Sequence, residues 1–175
     1  QALAIDTALD NRGHIARHTH NIRRVYRLQG QLEPAITYFT QALKSAEALG
    51  LRRGVSLCVT NLGIVYKGLE RYALAQEHYQ RALHISQELG LKEGIANNFG
   101  KLGDLYRLLG QFAAALEHNR QALQLSQEIG FREGVGRHHG NLARLHQDLE
   151  ERPQALQELE QGIAIFEEMQ ESYYL

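Results

Sequence analysis

Apolar positions along this chain recur at helical intervals, and no segment alternates in the manner of a strand. Leu62, Val65, Tyr66 and Leu69 stand at i, i+3, i+4 and i+7, which places them on one face of a helix. The pattern breaks at Glu70 and Arg71, then resumes with Ala75, Tyr79, Ala82, Leu83 and Leu89, predicting a helix, a short turn and a second helix. Pro34 and Pro153 fall in the first turn of such second helices, where a missing N–H costs little. Gly50, Gly90 and Gly130 follow helix ends, where glycine takes the left-handed cap conformation.

The pattern repeats. SQELGLKEG at 86–94 returns 40 residues later as SQEIGFREG at 126–134, with six identities in nine. The same shift aligns Asn21, Asn61, Lys101 and Asn141, and likewise Tyr26, Tyr66, Tyr106 and His146. Ala35, Ala75, Ala115 and Ala155 form a further column, as do Phe39, Tyr79, Asn119 and Leu159. A fixed period of this length signals stacked units, each too small to bury its own apolar face. The expected organisation is one array. Residues 1–9 form the second helix of a truncated repeat, helix pairs occupy 10–49, 50–89, 90–129 and 130–170, and 171–175 begin a further segment. That makes nine helices, and the quoted stretch is the hinge that repeats the stacking angle between pairs. The chain opens with QALAID, which is similar to QALKSA and QALQLS further on, so it is expected to begin partway through a repeat of a longer parent protein.

With Phe99, Leu102, Gly103, Tyr106, Leu109, Gly110, Phe112, Ala115, Ala122 and Leu123 in place, the unit resembles the tetratricopeptide repeat over nearly the whole chain. The period is 40 rather than 34, and a glycine hinge replaces the usual proline. The long-repeat variety is similar to that of spindle-orientation adaptors, kinesin light chains and bacterial multidomain regulators. The resemblance implies an all-α, right-handed superhelical solenoid of about four and a half repeats. It also implies that first helices line the concave face and second helices the outer one. Gly63 and Gly103 are expected to admit close contact with small residues of the paired helix. His146 and Arg152 replace apolar residues in the last unit, as either an end cap or sequence drift.

Charge then changes the picture. The net value of −1 conceals a segregation by helix. First helices at 12–29, 52–69, 92–109 and 132–149 hold 14 Arg and Lys against four acids, a balance of +10, and the remainder carries −11. On the implied geometry the concave face is basic and the back acidic. Helical spacing puts Leu57, Thr60, Asn61, Ile64 and Lys67 on that face in the second pair. The equivalent columns hold Arg17, His20, Asn21, Arg24 and Arg27, then Asn97, Gly100, Lys101, Asp104 and Arg107, then Arg137, Gly140, Asn141, Arg144 and Gln147. Guanidinium forks pair with carboxylates, and an amide both donates and accepts, so this set suits an extended acidic peptide. The resemblance adds that Asn and basic residues in these columns commonly grip peptides. Asp104 is expected to orient Lys101 or Arg107, or to select a basic ligand residue. The competing reading is a merely solvated basic face.

Other chemistry is sparse. Lone Cys58 excludes an internal disulfide and fits a reducing compartment. No apolar run approaches the ~18 residues of a membrane span, and the chain reads as cytoplasmic. His14 and His18 are spaced to share a metal but lack further ligands on their helix; His138 and His139 face different directions, His139 and His146 fall in packing columns, and these are expected as buried, hydrogen-bonded residues rather than ligands. No phosphate loop, nucleophile elbow or metalloprotease motif occurs, and no cofactor or catalytic residue is implied. A nucleic acid is the rival ligand for a basic face, but no aromatic residue lies in the face columns to stack a base. The sequence therefore predicts a non-catalytic protein-binding module, a regulatory or scaffold part of a multidomain protein. An array that spaces domains or docks on its own parent chain is the alternative.

Overall fold

A computed structural model describes residues 32–171. Seven helices and no strand occur among these residues: α1 Leu32–Ala48, α2 Arg52–Gly68, α3 Tyr72–Glu88, α4 Lys92–Leu108, α5 Phe112–Glu128, α6 Arg132–Asp148 and α7 Arg152–Glu171. The half unit expected at 1–9 and the first helix expected at 12–29 lie outside the described residues. The other first helices begin where the apolar spacing predicts and stop one residue short of the expected ends.

Six three-residue turns join these helices, and all are built alike. At each, the middle residue takes positive φ: Gly50 at 64°, Glu70 at 59°, Gly90 at 62°, Gly110 at 70°, Gly130 at 67° and Glu150 at 60°. Around Gly90 the N–H of Leu91 reaches back to Ser86 O at 2.9 Å, and that of Gly90 to Gln87 O at 3.1 Å. This paired capping satisfies carbonyls that a helix end would leave bare. The third turn residue starts the next helix directly, as Ile95 N–H donates to Leu91 O at 2.9 Å. The hinge between pairs and the turn within a pair are therefore the same structure.

The chain divides into two compact units, residues 1–75 and 76–175, with the division inside α3. In the first unit α1 packs on α2. Phe39 and Ala46 of α1 and Val59, Leu62 and Val65 of α2 are buried, and Arg71 ties the end of the unit to Glu33 at 2.9 Å. In the second unit α4 packs on α5, α5 on α6 and α6 on α7, while α4 also runs beside α6. This order of packing is that of an all-α solenoid.

The core columns follow the period with exceptions: Leu109 and Leu159 are 37 and 48% exposed. Tyr66 and Tyr106, expected as core rings, are only half-buried, whereas Tyr79 is fully enclosed. Burial of an aromatic side chain on this scale contributes roughly 1.5–3 kcal/mol. The second glycine of SQELGLKEG has a packing role. A methyl group at Gly94 would lie 2.9 Å from Ser86 Oγ, and one at Gly134 would lie 2.8 Å from Ser126 Oγ. In the first unit a methyl group at Gly54 would only reach ordinary contact with Ala46 Cβ, at 3.4 Å. A first helix thus enters against the small residue at the end of the helix before it.

Candidate functional site

In the second unit α4 and α6 present their polar columns side by side, so residues about 40 apart in sequence become neighbours. Arg137 donates to Asn97 Oδ1 across the two helices. Asn141 Nδ2 donates to Gly100 O at 3.2 Å, and Arg107 to Asp148 at 2.6 Å. Asp104 lies 3.9 Å from Arg144 and accepts from Arg107 at 3.4 Å, so the expected pairing of Asp104 with Arg107 is present. Sequence columns at a shift of 40 are thus lateral contacts.

Much of the basic charge here is met internally. Arg107 is shared by Asp104 and Asp148; burial opposes its charge, but the bond to Asp148 and the fields of both carboxylates outweigh it and raise its pKa. Arg137 also bonds Glu133 at 3.3 Å and sits over the Phe131 ring at 5.7 Å. Arg144 remains exposed while donating to Asn141 Oδ1 at 2.6 Å. In α4 and α6 six basic residues face four acids, so the segregation seen in sequence is concentrated elsewhere: residues 12–29 have five arginines and no acid, and α2 has Arg52, Arg53 and Lys67 without an acid.

The face residues divide by exposure. Lys67, Asn97, Lys101, Arg107 and Arg137 are half-buried, Ile64 and Arg144 are exposed, and Asn61, Asp104 and Asn141 are buried. Asn61 and Ile64 belong to the first unit. Arg17, Asn21, Arg24 and Arg27 fall outside the described residues. The inward turn of Asn141 has a local cause. Gly100 lacks the side chain that would cover its carbonyl, and Asn119 of α5 offers Oδ1 to Asn141 Nδ2 at 3.1 Å while its own Nδ2 donates to Ala115 O at 2.9 Å. The clue available in sequence is Asn119 itself, a polar residue in a column with Phe39 and Tyr79. Gly103 faces this amide rather than a small residue, since a methyl there would fall 2.4 Å from Asn119 Nδ2.

The histidines and the cysteine behave differently from one another. His139 Nδ1 lies 2.6 Å from Glu158, and His146 Nδ1 lies 2.6 Å from Glu151. His138 is buried over Gly100 without a hydrogen-bond partner on either ring nitrogen. Burial, reinforced by Arg137, Lys101 and His139, pushes its pKa down to about 3. Burial, with Glu47 nearby, pushes the Cys58 thiol up to about 11, far from the thiolate a nucleophile requires. Among the described residues no group of three His, Cys, Asp or Glu side chains is placed to hold a metal ion, and no helix is long and apolar enough to cross a membrane.

A tetratricopeptide repeat family model matches residues 55–128 and again 101–168, and a second tetratricopeptide repeat model matches 19–53. No curated protein matches the sequence significantly. Among solved structures, the chain is similar to BtubC (BKLC) from P. vanneervenii, with 22% identity over 94% of this chain and 71% of that one and a TM-score of 0.60. It is also similar to a Podosopora anserina protein assigned as a kinesin light chain with nearly identical TPR-like repeats. The identity there is 17%, the coverage 88% of this chain and 96% of that one, and the TM-score 0.57. A singly substituted form of that protein gives 18%, 89%, 96% and 0.57. At such identities the likeness carries the fold alone.

Proposed function

The chain belongs to the tetratricopeptide repeat family, whose repeats generally mediate protein–protein interaction, and from that premise we propose that it is a non-catalytic module binding an extended acidic protein segment on its first helices. The observation that supports this reading is the lateral pairing of α4 with α6. Equivalent side chains recur there at regular intervals along one face, which suits an elongated ligand more than a compact one. Lys101, Arg137 and Arg144 supply the positive charge, and Asn97 a polar contact. Because the amide of Asn141 is engaged within the stack, it serves the ligand through Arg144 rather than by direct contact. In the parent protein the array acts as a regulatory or scaffold part.

The test is a titration of a fluorescent, extended Glu-rich peptide, with single-stranded RNA measured in parallel. The chain is compared with Lys101→Ala/Arg144→Ala and with Glu77→Ala/Glu117→Ala, a control on the exposed acidic side. A desolvated charge-assisted bond is worth ~1.5–3 kcal/mol and an exposed pair ~0–1, so the double change is expected to weaken the peptide roughly tenfold or more. The control should leave affinity intact. Tighter binding of RNA than of peptide, or a loss confined to the control pair, overturns the reading.

A further inference from the structure

Among the described residues, helix α7 carries an exposed apolar seam. Leu156, Leu159, Ile163 and Phe166 of α7 are 57, 48, 47 and 45% exposed, and their spacing of three, four and three residues aligns them along one side. At the equivalent positions earlier in the chain, Phe39, Leu43 and Ala46 are buried, as are Asn119 and Ser126. Within the second unit the cover is a first helix: α6 lies on α5, with Gly134 against Ser126.

At Ser126, Gly130 and Gly134 that mode of cover uses a small residue, a turn glycine and an entry glycine. The matching columns at the end of the chain hold Phe166, Gln170 and Tyr174. Helix α7 continues through Glu171 instead of turning at 170, and the Phe166 ring leans on Gly136, where a methyl group would fall 2.8 Å away. The seam is therefore not shaped for a first helix entering in the same geometry. Its charge is one-signed: α7 carries five glutamates against Arg152. Glu158 and Glu168 bond to His139 and Arg132 of α6, while exposed Glu160 and Glu167 follow the outer edge of the seam, seven residues apart.

We propose that this seam is a docking site for an amphipathic helix of a partner protein whose apolar stripe is bordered by Arg or Lys. Two arguments select that occupant. The acidic edge complements a basic one, whereas an antiparallel α7–α7 pair would set Glu160 and Glu167 against like charge. Within the second unit α6, with three arginines against two acids, also covers α5, with two glutamates against one arginine, so the combination of apolar stripe and opposite charge is present there in weaker form. The mode is a helix laid along an apolar seam, with charge fixing its orientation. This site is separate from the face formed by α4 and α6 and does not depend on it.

The experiment uses the whole chain and two synthetic helical peptides of about 20 residues, the length of α7. Both have Leu and Ile at seam positions; one has Arg at the flanking positions and the other Glu. Fluorescence anisotropy is expected to show binding of the Arg-edged peptide and at least roughly tenfold weaker binding of its twin. Ile163→Glu should weaken the Arg-edged peptide by a similar factor with an unchanged circular dichroism spectrum, since the position is exposed. Glu160→Lys/Glu167→Lys should reverse the preference. Equal binding of the two peptides, or binding of neither, overturns the proposal. A chain dimer in sedimentation that Ile163→Glu dissolves overturns it in favour of a second copy.

Discussion

Asn141 donates from Nδ2 to Asn119 Oδ1 at 3.1 Å, tying the first helix of one pair to the second helix of the pair before it. With Gly100 O as its second acceptor and Arg144 as donor to its own oxygen, the Asn141 amide has its hydrogen-bonding capacity largely used. Asn141→Ala leaves Asn119 Oδ1 and the Gly100 carbonyl without this donor in a buried setting. It should cost ~1–3 kcal/mol, read as a lower midpoint in urea unfolding. A change below about 0.5 kcal/mol would show that the amide is not part of the stack.

Gly100 and Gly140 occupy one column but predict opposite effects. A methyl group at Gly100 would lie 2.3 Å from His138 Cε1, while nothing stands within 4 Å of one at Gly140. Gly100→Ala must displace a buried ring and should destabilise by ~1–3 kcal/mol. Gly140→Ala removes backbone freedom from the unfolded chain at no steric cost and should stabilise by ~0.5–1 kcal/mol. Thermal melts of the two variants check the signs.

Much of this architecture is legible in sequence because its causes are short in range. Helical spacing of Leu62, Val65 and Leu69 and the glycines at 50, 90 and 130 act over a few residues, and a repeat of 40 multiplies the evidence. The orientation of Asn141 is not legible in the same way, because an amide in a face column has the same spacing whether it turns outward or inward. Its direction depends on Asn119, 22 residues earlier in the chain, and on the missing side chain at Gly100. Tyr106 misleads for a related reason: its column is apolar, but its hydroxyl meets Gln76 at 3.4 Å and keeps the ring half-buried. Charge counted by helix likewise overlooks pairing such as that of Arg107 with Asp148, which only the α4–α6 neighbourhood creates.

The turns allow a reciprocal exchange. Glu150 holds φ at 60° where Gly110, its equivalent, holds 70°. A left-handed conformation costs an L side chain roughly 1–2 kcal/mol, so Glu150→Gly should raise stability by ~1 kcal/mol and Gly110→Glu lower it by a similar amount. Urea midpoints of the two variants should move in opposite directions. Movement in the same direction would place the origin outside the backbone.

His138 predicts acid sensitivity. Its folded pKa, about 3, lies below its ordinary value of 6.5, so the unfolded chain binds the proton first. The stability due to neutral His138 is full above about pH 6.5 and is lost as pH falls toward 3. Each unit of pH in that interval costs up to ~1.4 kcal/mol, or about 2 kcal/mol between pH 6.5 and 5. His138→Asn, the residue found at the equivalent position 98, should flatten the urea midpoint against pH over this range. An unchanged slope would assign the acid response to other groups.

The likeness of all six turns means that the backbone does not distinguish a first helix from a second one. Inserting one helix with its turn would preserve every connection yet set a second-helix sequence where a first helix is due. The distinction between the two kinds of helix is therefore written in side chains, as in the meeting of Gly94 with Ser86 and of Gly134 with Ser126. Lengthening such a protein without scrambling its faces requires additions in whole pairs.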